Sequence, residues 1–277
     1  MRVGVLTFVT DEGIGPAELG VALEQRGIDS LFLAEHTHIP VHNASPYPSG
    51  GPIPPKYFRT LDPFVALTAA AGATENLILG TGIALIPQRD PIITAKEVAS
   101  LDVVSSGRFV FGVGVGWNRQ EVANHGVDPG VRGRVADERL DAMIAIWTQD
   151  EAEFHGQFVD FDPIYSWPKP VSKPYPPLYI GGGGPAAFRR VARLNAGWMG
   201  IVPSPEVLAG QLEELHAIAG NDVPVIVSQL GETLSVESAE GYASLGVEHV
   251  VVELPTEPRD ETLRWLDRMA AELAKLR

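Results

Sequence analysis

Residues 77–118 read LILGTGIALIPQRDPIITAKEVASLDVVSSGRFVFGVGVGWN, and this stretch decides the fold. Two apolar, glycine-punctuated runs, Leu77–Ile86 and Arg108–Val115, flank a helical signal. Asp90 supplies a side-chain cap, and Pro91 falls in the first helical turn, where its missing N–H costs nothing. Ile92, Ala95, Val98 and Ala99 then form one apolar stripe at helical spacing, and Ser105-Ser106-Gly107 offers a left-handed stop. Strand, helix and strand follow one another with a connection long enough for a parallel crossover. Both strands are apolar on both faces, as parallel strands covered on two sides must be. Each ends in glycines followed by polar residues, so something can approach the backbone there closely. The two ends read as one wall of a ligand site.

The same unit recurs along the chain. Strands are predicted at Val3–Val9, Asp29–Ala34, Leu178–Ile180, Gly197–Val202, Val223–Ser228 and Val247–Glu253, besides the two above. Helices are predicted at Pro16–Arg26, Asp62–Thr74, Arg132–Thr148, Pro185–Asn195, Pro205–Ala219, Ser235–Leu245 and Arg259–Leu276, besides the central one. Two stretches interrupt the pattern: a Pro-, Gly- and Ser-rich loop after His36, and an irregular, aromatic and Pro-rich insertion at Glu151–Pro177. Loops of that length inside a compact domain are usually functional or mobile. Strict alternation predicts a parallel sheet, and eight units predict closure into a (β/α)8 barrel over residues 1–277, a single domain. A doubly wound open sheet is the alternative.

Composition narrows the function. A formal net charge of -14 argues against a broad nucleic-acid or anionic-membrane surface, while leaving room for a locally held anion. The absence of cysteine excludes disulfides and thiolate metal sites. No apolar run approaches the ~18 residues of a membrane span. The opening MRVGVLTFV is too short for a signal peptide and leads straight into a strand, so a cytoplasmic protein is the simplest reading.

In a barrel of this kind ligands bind at the carboxyl ends of the strands. The second strand delivers Glu35, His36 and His38 there; the third delivers Thr81, Gly82 and Ile83, then Arg89. The fourth delivers Gly114, Gly116 and Trp117, the fifth Gly181, Gly182, Gly183 and Gly184, and the sixth Gly200. Four consecutive glycines at a helix N-terminus can turn their N–H groups to one point, with the helix dipole behind them, as a phosphate requires. Arg189 and Arg190 lie early in that helix. His36 reads as a proton donor or ligand hydrogen-bonder, with a structural Glu35–His36 pair as the bland alternative. Trp117 can stack on a flat ligand or wall a substrate pocket, or pack under the Glu151–Pro177 insertion. His36 and His38 form an H-x-H pair, but later strand ends add no His, so no metal site is expected. No carboxylate pair for glycoside hydrolysis and no G-x-S-x-G element is present, so a bound cofactor is expected to carry the chemistry.

Three blocks carry a family resemblance: LFLAEHTHIPV, the run from LDPFVALTAAAG through GVGVGWNRQE, and PLYIGGGGPAAFRRVARLNAGW. The sequence resembles the luciferase-like flavin and deazaflavin oxidoreductases, particularly their F420-dependent branch. The resemblance implies a (β/α)8 barrel with an isoalloxazine-type ring across the strand ends, and a non-proline cis peptide at Gly82–Ile83 behind the ring. It implies a phosphate loop at Gly181–Gly184 closed by Gly200, with Glu35, Thr81, Gly82 and Ile83 lining the cofactor and His36 near its reactive face. His38 and Trp117 would border the substrate. Trp117 stands where the sugar-phosphate dehydrogenase branch has a Glu, which argues against glucose-6-phosphate as substrate. The expectation is an F420-dependent oxidoreductase acting on a small molecule. An FMN-dependent monooxygenase and a cofactor-binding protein without turnover are the rivals. Arg89, Arg119, Arg189 and Arg190 favour the anionic tail of F420. Family members often form homodimers, and the small apolar residues of Leu61–Thr81 offer a helix face for one.

Overall fold

The computed structural model describes residues 1–275 other than Leu230 and Glu232. In chain order the elements are β1 (Arg2–Thr7), α1 (Pro16–Gln25), β2 (Ser30–Leu33), α2 (Lys56–Arg59), α3 (Pro63–Ala73), β3 (Ile78–Thr81) and β4 (Ala84–Leu85). There follow α4 (Pro91–Val104), β5 (Phe109–Gly114), α5 (Arg119–Asn124), α6 (Arg132–Thr148), β6 (Glu151–His155), β7 (Asp160–Tyr165) and β8 (Leu178–Gly181). The last are α7 (Pro185–Leu194), β9 (Gly197–Val202), α8 (Pro205–Ala219), β10 (Val225–Gln229), α9 (Val236–Ser244), β11 (His249–Glu253) and α10 (Arg259–Leu273). The last helix was expected to run to Leu276, which lies outside the described residues.

The strands run β3-β2-β1-β11-β10-β9-β8-β5, all parallel, and β3 pairs back onto β5 through Leu79 opposite Phe109 and Gly80 opposite Val110. Eight strands therefore close into a barrel with no open edge, and the open-sheet alternative is set aside. Between barrel and helices lies the main apolar layer, which includes Val5, Leu31, Leu79, Phe109, Phe111 and Val250. Inside the barrel Phe32, Met199, Ile226 and Val251 pack with Leu6, Ile83, Val110 and Tyr179. The floor is not purely apolar: Ser30 Oγ and His249 Nε2 share a hydrogen bond of 2.8 Å.

Local chemistry sets the helix starts. Asp62 accepts from the N–H groups of Phe64 and Val65 at 2.9 and 3.0 Å, and Asp90 accepts from Ile93 at 2.9 Å, each just before a first-turn proline. Such caps contribute about 1 kcal/mol each. The α4 stop is as read, with Ser106 at φ 55°, Gly107 at φ 82°, and Gly107 N bonding Asp102 O at 2.8 Å. Its inward stripe differs by one residue. Ala95, Val98 and Ala99 are buried, but Ile92 is partly exposed and Thr94 and Leu101 turn inward instead. The insertion at Glu151–Pro177, read as irregular, contains the antiparallel hairpin β6–β7. Its alternation is short and broken by a register shift between Ala152 and Phe154, which hides the period-2 pattern.

Candidate functional site

The third strand, read from the residues as one run, breaks where the family resemblance implied. β3 ends at Thr81, the Gly82–Ile83 peptide is cis, and β4 resumes with Ala84 opposite Val113. Thr81 is fully buried and its hydroxyl donates to Gly112 O at 2.6 Å, so it faces the neighbouring strand. The Ile83 side chain lies across β5 and β8. A Cβ at Gly114 would stand 1.9 Å from Ile83 Cδ1, and one at Gly181 2.8 Å from Ile83 Cγ2. A Cβ at Gly112 would stand 2.1 Å from Thr81 O. The glycines at these strand ends thus make room first for the broken third strand.

The end of β2 sends its side chains two ways. Glu35 is buried and accepts from Leu85 N at 2.6 Å and from Arg89 Nε at 2.7 Å. Arg89 also pairs with Asp62 at 2.6 Å and Glu97 at 2.9 Å, and lies over the Phe64 ring. Burial opposes the charge on Arg89, but Glu35 and Asp62 outweigh it and hold the guanidinium protonated above its ordinary range. Burial raises the Glu97 carboxyl, against the pull of Arg89. Glu35 therefore braces the third-strand break, and Arg89 is committed to three carboxylates rather than presented to a ligand.

His36 is paired with Glu121, not with Glu35. Its Nδ1 lies 2.7 Å from Glu121 Oε2, and Thr37 N donates to Glu121 Oε1 at 3.1 Å. Glu121 is 0% exposed and His36 8%, so both oxygens of a fully buried acid are engaged by the β2 end. Helix α5 carries Glu121 and is started by Asn118, whose side chain accepts from Gln120 N and Glu121 N, both at 3.2 Å. The other face of His36 belongs to an aromatic box. Ring centroids lie 5.0 Å away at Tyr57, 5.7 Å at Trp117 and 6.4 Å at Phe8. Tyr47 closes the far side, its hydroxyl 3.2 Å from that of Tyr57. Burial, then the Tyr47 hydroxyl, raises the Tyr57 phenol and keeps it neutral. Trp117 finds its ring partners in the loop after β2 and not in the β6–β7 insertion.

His38 is carried away from the box. It bonds the Thr37 hydroxyl and Asn124 Nδ2, each at 2.9 Å, and faces His125 at 5.5 Å. Burial, then His38, lowers the His125 pKa. Among the described residues no group of three or more His, Cys, Asp or Glu is arranged to hold a metal.

The glycine loop opens on the same rim. Gly182 and Gly184 have φ of 95° and 80°, and a Cβ on Gly182, Gly183 or Gly184 would meet nothing within 4 Å. No side-chain hydrogen bond caps α7, so its first-turn N–H donors have no side-chain acceptor. Trp198 Nε1 donates to Gly182 O at 2.7 Å and pins the loop from behind. Gly200 serves that anchor, because a Cβ there would stand 2.4 Å from the Trp198 ring. Arg190 is bound to Asp137 at 2.5 Å, whereas Arg119 and Arg189 are exposed. The positive charge expected at the mouth is therefore smaller than the arginine count suggested.

Sequence reasoning missed Glu121, Phe8, Tyr47 and Tyr57. Asn118 and Glu121 carry the spacing of a capping box, which was the available signal for Glu121. Tyr47 lies in a stretch without period and Tyr57 on the short helix α2 that follows it, and nothing in the order of residues says which rings converge.

The closed parallel barrel carries the break in its third strand and a glycine loop on an uncapped helix at its strand ends. A family model described as luciferase-like monooxygenase matches residues 15–229. The chain belongs to that family. It is 39% identical over 284 residues to an uncharacterized protein of Mycobacterium tuberculosis, covering 99% of both chains. It is 30% identical to an F420-dependent glucose-6-phosphate dehydrogenase of Nakamurella multipartita, over 68% of this chain and 53% of that one. It is 29% identical to an FMNH(2)-dependent dimethylsulfone monooxygenase of Pseudomonas putida, over 68% of this chain and 48% of that one. In structure it resembles the monooxygenase RslO1 of Streptomyces bottropensis, with a TM-score of 0.78, 19% identity and 99% of both chains covered. The family is one of oxidoreductases and monooxygenases with F420- and FMN-dependent members.

Proposed function

We propose that this chain is an F420-dependent oxidoreductase transferring a hydride between the deazaflavin and a small organic substrate. The observation that carries the reading is the shared rim: an open glycine loop on an uncapped helix stands on the same barrel mouth as the buried His36 and its aromatic box. The residues present fit such a cofactor. Gly182, Gly183 and Gly184 with the first turn of α7 would hold its phosphate, by backbone donors and dipole. Ile83 would back the ring. Gln88 Nε2 and Asn118 Nδ2 are buried donors without a partner among the described residues, and they suit an acceptor-rich ring edge. When bound, the group supplies the site that gives or takes the hydride. The protein contributes position: His36 meets the substrate oxygen, while Phe8, Tyr57 and Trp117 hold the substrate and exclude water.

The similarity to an F420-dependent dehydrogenase supports this reading, and the comparable similarity to an FMNH(2)-dependent monooxygenase supports the rival. Equilibrium binding of F420 and of FMN to apoprotein separates them. Tight F420 binding with weak FMN binding is expected; oxygen uptake with reduced FMN would reject F420. Tight binding without turnover across a broad substrate panel would favour a carrier. A homodimer over the outer face of α3, where Val65, Thr68 and Ala69 are exposed, belongs to the same reading, and sedimentation tests it. Among the described residues no helix is long and apolar enough to cross a membrane.

A further inference from the structure

We infer that Glu121 is a positioning residue that fixes His36 in its Nδ1–H tautomer, so that Nε2 meets an uncharged ligand as a hydrogen-bond acceptor within the aromatic box. The inference rests on the proposed role of His36 at the substrate and specifies the chemistry that role can have.

A carboxylate only accepts. Glu121 Oε1 already receives Thr37 N at 3.1 Å, and Oε2 sits 2.7 Å from His36 Nδ1, so the hydrogen between Oε2 and Nδ1 belongs to His36. The hydrogen bond made by one ring nitrogen sets the state of the other. Nε2 has no hydrogen-bond partner among the described residues, and the ring lies between Phe8, Tyr57 and Trp117. With Nδ1 holding the hydrogen, Nε2 offers a lone pair to whatever enters. The ligand must then donate: a hydroxyl or N–H fits, and a bare ether does not. Among the described residues the ammonium seen against a ring of the box is already matched. Lys56, 5.4 Å from the centre of the Phe8 ring, pairs with Glu253 at 2.7 Å. Nothing there recommends a charged ligand over an uncharged one of ring size.

A glutamine at position 121 reverses the assignment by the same geometry. Thr37 N needs an acceptor, so the amide oxygen must turn to it, which leaves the NH2 facing Nδ1. Nδ1 then becomes the acceptor and Nε2 carries the hydrogen.

The test is nitrogen-15 correlation spectroscopy of histidine-labelled apoprotein at pH 8.5, with His36 assigned by His36→Asn. The wild type is expected to show protonated Nδ1 and bare Nε2, and Glu121→Gln to invert the pair by at least about tenfold in population, the scale of one hydrogen bond to a charged group. A wild type with bare Nδ1, or with both nitrogens protonated, overturns the inference without any variant. An unchanged tautomer in a folded Glu121→Gln protein overturns it too. Cyclohexanol is expected to shift the Nε2 resonance, and its methyl ether to leave it unmoved. Equal response to both, or none to either, refutes the acceptor role. None of these readings needs the cofactor, so they stand or fall apart from the choice between F420 and FMN.

Discussion

His249 lies on the barrel floor, and its burial makes a measurable claim about stability. The imidazole is 6% exposed, its Nε2 is bonded to Ser30 Oγ at 2.8 Å, and Arg2 lies near. Burial first, then Arg2, lowers its pKa from 6.5 to about 4, against a smaller opposite pull from Asp29. The unfolded chain takes up a proton near pH 6.5, whereas the folded one refuses it until about pH 4. Stability from this group is therefore fully present above pH 6.5 and is lost as the pH falls toward 4. At about 1.4 kcal/mol per tenfold change in proton activity, the loss reaches about 2.5 kcal/mol by pH 4.5. His249→Gln keeps a polar partner for Ser30 and removes the titration. Urea unfolding of both proteins at pH 7.5 and pH 4.5 isolates the effect from the carboxylates they share. The wild type should lose about 2.5 kcal/mol more than the variant between the two pH values. If both lose the same amount, the floor histidine is not held neutral by burial and the reasoning fails.

Other perturbations address the rim. Gly114→Ala places a methyl 1.9 Å from Ile83 Cδ1 and should destabilise by about 1–3 kcal/mol in urea titrations; adding Ile83→Val, which removes that atom, should recover part of the loss. Arg89→Met leaves the buried Glu35 without its cation and should cost about 3–5 kcal/mol, and a melting temperature equal to wild type would show that Leu85 N alone suffices. Gly184→Ala, at φ 80°, should weaken cofactor binding more than Gly183→Ala, whose φ is ordinary and whose added carbon meets open space; equal affinities would remove the glycine loop from the binding site.

Periodicity and punctuation determined much of this protein. The uninterrupted apolar runs, the Asp-Pro helix starts and the Ser105-Ser106-Gly107 stop are local signals, each written within a few residues, and they sufficed for an eight-unit barrel. The glycine run before Pro185 was equally legible, because backbone freedom and a helix N-terminus are properties of consecutive residues. What the order of residues could not show is which distant side chains meet. Adjacent Glu35 and His36 suggested a pair, yet both lie just past the end of β2, and packing turns Glu35 to Arg89 and His36 to Glu121, 85 positions away. Gly114 announced close approach, but only closure of the barrel revealed that the Ile83 side chain is what approaches, and that it also covers Gly181. Patterns repeat along the chain and are read there; partners are chosen by packing across it, and only the closed structure brings them within bonding distance.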